Sequence, residues 1–86
     1  MDINVLIAIV KKKITNEIVI ENISIEDKSF LHKQHPGHKE GKYHLKVLIE
    51  SKELKSLTRI EGNKKIYKVL EQEMKKYIHS LQILIN

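Results

Sequence analysis

Histidine is the residue type whose number and spacing most directly suggest chemistry in this sequence. Three of the five histidines, His32, His35 and His38, fall in the stretch HKQHPGH. Because neutral imidazole is a common metal ligand, a His-x-x-His-x-x-His run could bind a metal ion. Pro36 and Gly37 are turn formers, so the same stretch also fits a polar loop between two elements. The spacing alone leaves a metal site, a nucleic-acid loop and a plain connector open.

The two remaining histidines lie outside this stretch. His44 falls inside a predicted strand, on the face opposite Leu45 and Val47, where packing or hydrogen bonding is the expected role. His79 stands at the start of the last predicted strand, next to Ile78. A lone histidine in such a position is more often a half-buried side chain than a metal ligand. A ligand role would require that this strand pass close to the histidine stretch.

The other reactive residue types give no support for catalysis. The sequence contains no cysteine, which excludes thiol nucleophiles and cysteine-ligated zinc within these residues. It contains no Gly-x-Ser-x-Gly motif and no glycine-rich phosphate loop. Its carboxylates in the second half lie among lysines, as they do on a solvated helix surface. These carboxylates are Glu50, Glu53, Glu61, Glu71 and Glu73. We therefore expect a protein that is not an enzyme.

Length and charge restrict the remaining classes of function. Eighty-six residues, of which 41% are hydrophobic, fit one small domain over residues 1–86 with a single core. The net charge of +5 favours an acidic partner such as DNA or RNA. Arg59 is the only arginine, however, and this argues against a surface dedicated to reading bases. No apolar run is long enough to cross a membrane, and no targeting segment is visible. We expect a cytoplasmic protein that is a monomer when alone.

Hydrophobic periodicity predicts six elements in the order α-β-β-α-α-β. Segments with apolar residues at helical spacing alternate with segments in which apolar and polar residues alternate. The six segments are residues 2–16, 21–29, 42–51, 52–60, 63–76 and 78–85. Three strands with helices packed on one face form an α+β layer arrangement. We therefore expect a three-stranded sheet that is covered by helices on one side.

Helix ends are predicted from capping residues. Asp2 is placed to cap the first helix, because a carboxylate at this position accepts a hydrogen bond from the first turn. Gly62 is expected to end the short fourth element, since glycine disfavours helix interiors. Asn63 is then expected to be the N-cap of the following helix.

The same element order occurs in nucleic-acid-binding KH domains of the second topological type. Those domains clamp the backbone of the nucleic acid with a Gly-x-x-Gly turn between two consecutive helices. Here the corresponding stretch, EGNKK, contains a single glycine, so the clamp is incomplete. Lys64, Lys65 and Lys68 follow it and could contact phosphates without base specificity. They are the candidate nucleic-acid-binding residues, although an ordinary solvated lysine surface is the favoured explanation.

Four stretches taken together resemble the BolA family. They are SIEDKSFLHKQHPGH, GKYHLKVLIES, KKIYKVLEQEM and IHSLQILI, and the resemblance covers about residues 16–86. Each motif is short, but their order and spacing agree together, and the match needs no gap from Ser51 onward. The residues that match the family pattern in order are Asp27, Ser29, His44, Ser51, Ile66, Tyr67, Leu70, Glu73, Ile78, His79 and Leu81.

The chain departs from the family pattern at three places. Gly62, Asn63 and Lys64 stand where the family has Arg-His-Arg, so whatever those arginines bind does not carry over. Leu45 replaces the usual aromatic residue after the strand histidine. The common Pro-x-x-Trp tail is absent, and the sequence ends at Asn86.

The resemblance implies a KH type II-like, BolA-like fold and an adaptor role in iron–sulfur cluster trafficking or iron homeostasis. Members of this family pair with monothiol glutaredoxins and share a [2Fe-2S] cluster. The glutaredoxin and glutathione supply the thiolates, whereas the BolA partner supplies a C-terminal histidine and a loop histidine or cysteine. The isolated chain is then expected to bind no cluster. The alternative is a KH-like nucleic-acid-binding transcriptional regulator.

Carried over by position, the resemblance assigns the metal ligands of this chain. His79 corresponds to the C-terminal ligand. His35, nine residues before His44, matches the loop ligand best, and His32 is its close competitor. His38 comes third. Zinc binding by the same histidines is expected to be adventitious.

Overall fold

The computed structural model describes residues 1–29 and 42–86 of the chain. These residues form an α+β fold with four helices and three strands. The elements are α1 Ile3–Glu17, β1 Asn22–Asp27, β2 Tyr43–Glu50, α2 Lys52–Lys55, α3 Arg59–Val69, α4 Glu71–Lys76 and β3 Ile78–Ile85. The predicted class and element order are confirmed, except that the last predicted helix is divided at Leu70 into α3 and α4.

The sheet has the strand order β1-β2-β3. Strand β1 runs antiparallel to β2, and β3 runs parallel to it. A parallel pair requires a long crossover connection, which α2, α3 and α4 provide here. Within the described residues, β1 and β3 are the edge strands of the sheet.

All the helices that cover the sheet pack on one of its faces, as predicted. On α1, Leu6, Val10 and Ile14 recur every four residues and are buried, so they form the apolar stripe that meets the sheet. On β2, alternate residues point to the same side, as the pleat requires. The buried core consists of Leu6, Val10, Ile14, Ile18, Leu45, Val47, Ile49, Leu54, Ile66, Leu70, Ile78 and Leu81. In the described part of the chain, no helix has the length and apolar character that a membrane-spanning segment requires.

The caps show why helix α3 begins earlier than predicted. The Thr58 hydroxyl oxygen accepts a hydrogen bond from the Glu61 N–H at 3.2 Å, and the Glu61 carboxylate accepts one from the Thr58 N–H at 3.0 Å. This reciprocal capping box starts the helix at Arg59, so the prediction that Asn63 is an N-cap is wrong. The expected cap at Asp2 is confirmed, since its carboxylate accepts a hydrogen bond from the Asn4 N–H at 2.8 Å.

Gly62 lies in the interior of α3 and does not end it. It is buried, and a Cβ atom added there would lie 3.2 Å from the Ile85 Cδ1 atom and 3.8 Å from the Leu54 carbonyl oxygen. A side chain at this position would therefore press on the end of β3. The glycine allows close packing of α3, which explains its presence better than a helix stop does.

The capping box of α3 predicts a stability change that depends on pH. Hydrogen bonds from the backbone and the side chain of Thr58 hold the pKa of Glu61 below its usual value. Since the folded pKa is depressed, the stabilisation is present above the unfolded pKa of about 4.3 and is lost as the pH falls through the folded value. We expect Glu61→Gln to lose this pH dependence, because glutamine retains the box without the charge. Thermal unfolding followed by circular dichroism, at a series of pH values from neutral to acidic, measures this pH dependence.

A companion variant tests the size of the same cap. Thr58→Ala is expected to lower the free energy of unfolding by about 1 kcal/mol, because the first turn loses a hydrogen-bond acceptor. Lys64→Ala, at an exposed position in the same helix, is the control and should have little effect. Equal losses in the two variants would contradict a role for the capping box.

Candidate functional site

The candidate site lies at one end of the sheet, where β1 ends and β2 and β3 begin. Asp27, the last residue of β1, pairs with Leu45 near the start of β2. Tyr43, the first residue of β2, pairs with Ile78, the first residue of β3. The pairing therefore brings His44 and His79, which are far apart in sequence, to the same corner of the molecule.

A β-bulge places His79 outside the regular alternation of β3. Tyr43 pairs with Ile78 and His44 pairs with Ser80, so β3 has one extra residue at this point, which is His79. In a regular strand, residues three apart point to opposite faces. The bulge allows Ile78 and Leu81 both to enter the core, where they are 1% and 8% exposed. The His79 side chain remains exposed.

His44 is the fixed histidine of the pair. It is 7% exposed, and its backbone N–H donates a hydrogen bond to the Ser29 hydroxyl at 3.0 Å. Its ring Nδ1 atom lies 2.6 Å from the Ser80 Oγ atom, within hydrogen-bond distance. Its ring also contacts the His79 ring edge-on, with 4.9 Å between the centroids and 62° between the planes. The expected hydrogen-bonding role of His44 is confirmed, and its ring gives His79 a rigid neighbour.

The end of β1 is attached to the same corner by a local turn. The Ser29 N–H donates to the Asp27 carboxylate at 2.9 Å, an arrangement typical of an Asx turn. The Lys28 N–H donates to the His44 carbonyl oxygen at 2.7 Å. Ser29 is therefore held against β2. Lys42 directly precedes β2, so Ser29 and Lys42, the described residues on either side of 30–41, both lie at the end of the sheet where His79 is found.

The predicted loop ligands belong to that segment. His32, His35 and His38 lie outside the described residues, so the choice between His35 and His32 stays a prediction. Among residues 1–29 and 42–86, no group of three or more His, Cys, Asp or Glu side chains is arranged to hold a metal ion. Within this part of the chain, the site therefore offers His79 as an exposed imidazole and His44 as its buried support.

The three candidate nucleic-acid-binding lysines have different surroundings. Lys65 makes an ion pair with Glu53 at 2.9 Å, and this hydrogen bond lowers the pKa of the Glu53 carboxyl. Lys68 and Lys65 both line a cavity of about 580 Å³ between α1 and α3. Lys64 is exposed and does not line that cavity. The structure thus brings Lys65 and Lys68 together, with the charge of Lys65 already compensated.

Two features of the site were missed from the sequence. Ser80 was not recognised as the partner of the His44 ring. The bulge at His79 was not predicted either, although a signal was present. Ile78 and Leu81 are both apolar and stand three residues apart, which a regular strand with one buried face does not accommodate.

Comparison with known proteins gives consistent matches to one family. The family model described as BolA-like protein matches residues 14–86. A protein of Haemophilus influenzae named DNA-binding transcriptional regulator BolA is 29% identical over 75 residues, which cover 87% of this chain and 70% of that protein. Among solved structures, BolA1 from Arabidopsis thaliana is 26% identical with a TM-score of 0.76, and the match covers 92% of this chain and 87% of that one. The BolA domain of SufE1 from the same plant has a TM-score of 0.77 at 24% identity, with the same coverage, and shares the fold.

Proposed function

The chain belongs to the BolA-like protein family, and on this basis we propose that it is a non-enzymatic adaptor in iron–sulfur cluster trafficking. In this proposal it shares a [2Fe-2S] cluster with a monothiol glutaredoxin and glutathione, and His79 supplies one ligand. The observation that carries the proposal is the position of His79. Its imidazole is exposed at a β-bulge, a feature often found next to functional sites.

The donor set supports a shared cluster over a resident one. The chain has no thiol, and the described residues supply no complete metal site. Thiolates from a partner would therefore have to complete the coordination. The second histidine of the proposal is His35 or His32. Three residues span at most about 11 Å when extended, so the chain length keeps His32 within that distance of Ser29. His35 is three residues further along the chain, and its distance limit is correspondingly longer.

Imidazole ligation suits a cluster that is passed on. Replacing a thiolate by a neutral imidazole reduces the negative charge at the iron and raises its reduction potential. A histidine binds metal only in its neutral form, so the bond is weakened as the pH falls. Both effects favour transfer or sensing. The contact with His44 limits the orientations open to the His79 ring, which reduces the entropy lost on binding.

A spectroscopic titration tests the proposal. The chain is added to a monothiol glutaredoxin dimer loaded with its [2Fe-2S] cluster, and visible absorption and circular dichroism are recorded. We expect a new spectrum that saturates at one chain per cluster, because the ligand set at one iron changes. Size-exclusion chromatography of the mixture should show the heterocomplex. A spectrum that stays that of the glutaredoxin dimer at all ratios would contradict cluster sharing.

We propose nucleic-acid binding as the second candidate function, because the related Haemophilus influenzae protein is named as a DNA-binding transcriptional regulator. The positive charge of the chain and the lysines of α3 support it. Lys64 and Lys68 stand four residues apart and share one side of the helix. Lys65 contributes less, since Glu53 compensates its charge.

The salt dependence of binding tests this second candidate. Each phosphate contact contributes about −0.9 to the slope of log K against log salt for duplex DNA. We expect the double variant Lys64→Ala and Lys68→Ala to make that slope shallower by about 2 if both lysines contact phosphates. Fluorescence anisotropy of a labelled duplex measures it. The control is Lys11→Ala with Lys12→Ala on α1, which should leave the slope unchanged, and equal slopes in all three proteins would exclude the α3 surface.

A further inference from the structure

The outer edge of β3 exposes main-chain groups that the sheet does not use. The Asn86 N–H donates to the Ile49 carbonyl oxygen at 2.7 Å, and the Asn86 carbonyl oxygen accepts from the Ser51 N–H at 3.2 Å. The main chain of Asn86 thus faces β2. Since main-chain direction alternates along a strand, Leu84 also faces β2, whereas Ile83 and Ile85 direct their N–H and C=O groups away from the sheet.

One half of this edge is closed and the other is open. The Tyr67 hydroxyl donates a hydrogen bond to the Leu81 carbonyl oxygen at 3.0 Å, and so occupies the edge near the middle of the strand. Within the described residues, the outward groups of Ile83 and Ile85 receive no such partner. Edge strands are usually protected by charged side chains or proline. Residues 80–86 contain neither.

A cavity lies beside the open half of the edge. It has a volume of about 450 Å³. Four consecutive residues of the chain, 83–86, line it together with residues of α2 and the start of α3, so the cavity lies between the end of β3 and these helices. Leu54 and Leu57 supply an apolar wall on the other side. The open main-chain groups therefore border a space that can accept an aliphatic side chain.

The rim of the cavity carries two positive charges that make no ion pair within residues 1–29 and 42–86. Lys55 and Arg59 both line it and are exposed. The ion pairs within the described residues are Lys13–Glu73, Lys28–Glu26, Lys65–Glu53 and Lys75–Glu71, so neither Lys55 nor Arg59 is paired there. A partner that enters this cavity with a carboxylate would meet these two cations, one of them the guanidinium that suits bidentate recognition.

We propose that the edge of β3 at residues 83–86 docks an extended, acidic segment of a partner protein, which adds to the sheet as a further strand. Its main chain would bond to Ile83 and Ile85, an aliphatic side chain would fill the cavity, and a carboxylate would meet Lys55 and Arg59. A second copy of this chain fits less well, since β3 pairing across a two-fold axis would bring like charges together. The surface is distinct from His79, which lies six residues, or about 20 Å, along the strand from Ile85.

Peptide selection tests the proposal without a known partner. A display library of random eight-residue peptides is panned against the full chain, and selected peptides are synthesised. We expect them to combine aliphatic and acidic residues and to shift the amide NMR signals of residues 83–86. Enriched peptides that are basic, or that shift other residues, would overturn the proposal, and so would a library without enrichment. If the chain dimerises through residues 83–86 with increasing concentration, the occupant is a second copy and the proposal is wrong.

Two controls separate strand addition from simple charge attraction. In a peptide strand added to the sheet, every second residue directs its amide towards β3. N-methylation of these amides should abolish binding, whereas N-methylation of the amides that face away from β3 should not. Equal effects of the two methylation patterns would overturn strand addition. Lys55→Glu with Arg59→Glu should weaken the selected peptide by about tenfold. Lys11→Glu with Lys12→Glu makes the same change of net charge on α1 and should not weaken the binding of the selected peptide.

Discussion

Replacing His79 by alanine is expected to eliminate the spectrum of the shared cluster and to weaken the heterocomplex with the glutaredoxin by at least about tenfold. Loss of even an outer-shell partner typically costs 10–100-fold in metal affinity, and a direct ligand contributes no less. The fold should be unaffected. His79 is exposed and is the extra residue of a bulge, so its side chain is not needed by the core. Exposed substitutions usually change stability by about 0.5 kcal/mol or less.

The measurement is the same visible titration, with chemical unfolding as the test of stability. His79→Cys should restore cluster binding at a lower reduction potential, since thiolate replaces imidazole. Gln82→Ala, at an exposed position further along β3, is the matched control and should behave as the unaltered chain does. A His79→Ala protein that still produces the heterocomplex spectrum would show that His79 is not a ligand. In that case the BolA-like fold would stand and the ligand assignment would fail.

Breaking the ion pair between Lys13 and Glu73 is expected to cause the largest loss of stability, about 3 kcal/mol. Lys13 Nζ lies 2.6 Å from Glu73 Oε2, and the pair joins α1 to α4 across 60 positions of the sequence. The Glu73 side chain is only 8% exposed, and within the described residues its other oxygen has no hydrogen-bond partner. Lys13→Met therefore leaves a buried carboxylate alone. The Lys13 side chain is 36% exposed, which places the loss towards the lower end of the range for buried pairs.

Urea unfolding of single and double variants checks this expectation. Lys13→Met combined with Glu73→Leu should recover most of the loss, because an apolar pair of similar volume carries no desolvation penalty. Lys75→Met is the matched control. It breaks the ion pair between Lys75 and Glu71, whose side chains are 75% and 67% exposed, respectively. We expect it to lower the free energy of unfolding by less than about 0.5 kcal/mol. If Lys13→Met costs no more than Lys75→Met does, the pair is not a structural element of the core.

Local sequence patterns were sufficient for the class of fold. The alternation of Leu45, Val47 and Ile49 correctly identified the core face of β2, because a strand with one buried face imposes a period of two. The spacing of Leu6, Val10 and Ile14 identified α1 in the same way. The early start of α3 could also have been predicted, since Thr58 and Glu61 have the spacing of a capping box. The capping box outweighs the helix-breaking tendency of Gly62, which lies inside α3.

Long-range pairings were not available from the sequence. The contact of Lys13 with Glu73 and that of Tyr67 with the Leu81 carbonyl depend on how separate elements pack together. The division between α3 and α4 falls at Leu70, a good helix former whose backbone leaves helical geometry at φ −99° and ψ 17°. No residue type marks this position. At the site, His44 and His79 were assigned to strands correctly, but their contact required the register of β2 and β3.

The parallel pairing of β2 and β3 has a consequence for how the chain folds. The chain between His44 and His79 contains α2, α3 and α4, so the contact between the two rings is long-range in sequence. Contacts of such large sequence separation form late and slowly, because loop closure costs entropy before the contact repays it. We therefore expect a chain in which β2 and β3 have not yet paired to lack the corner at which the two rings touch. The position of His79 beside the His44 ring thus depends on the completed pairing of β2 with β3.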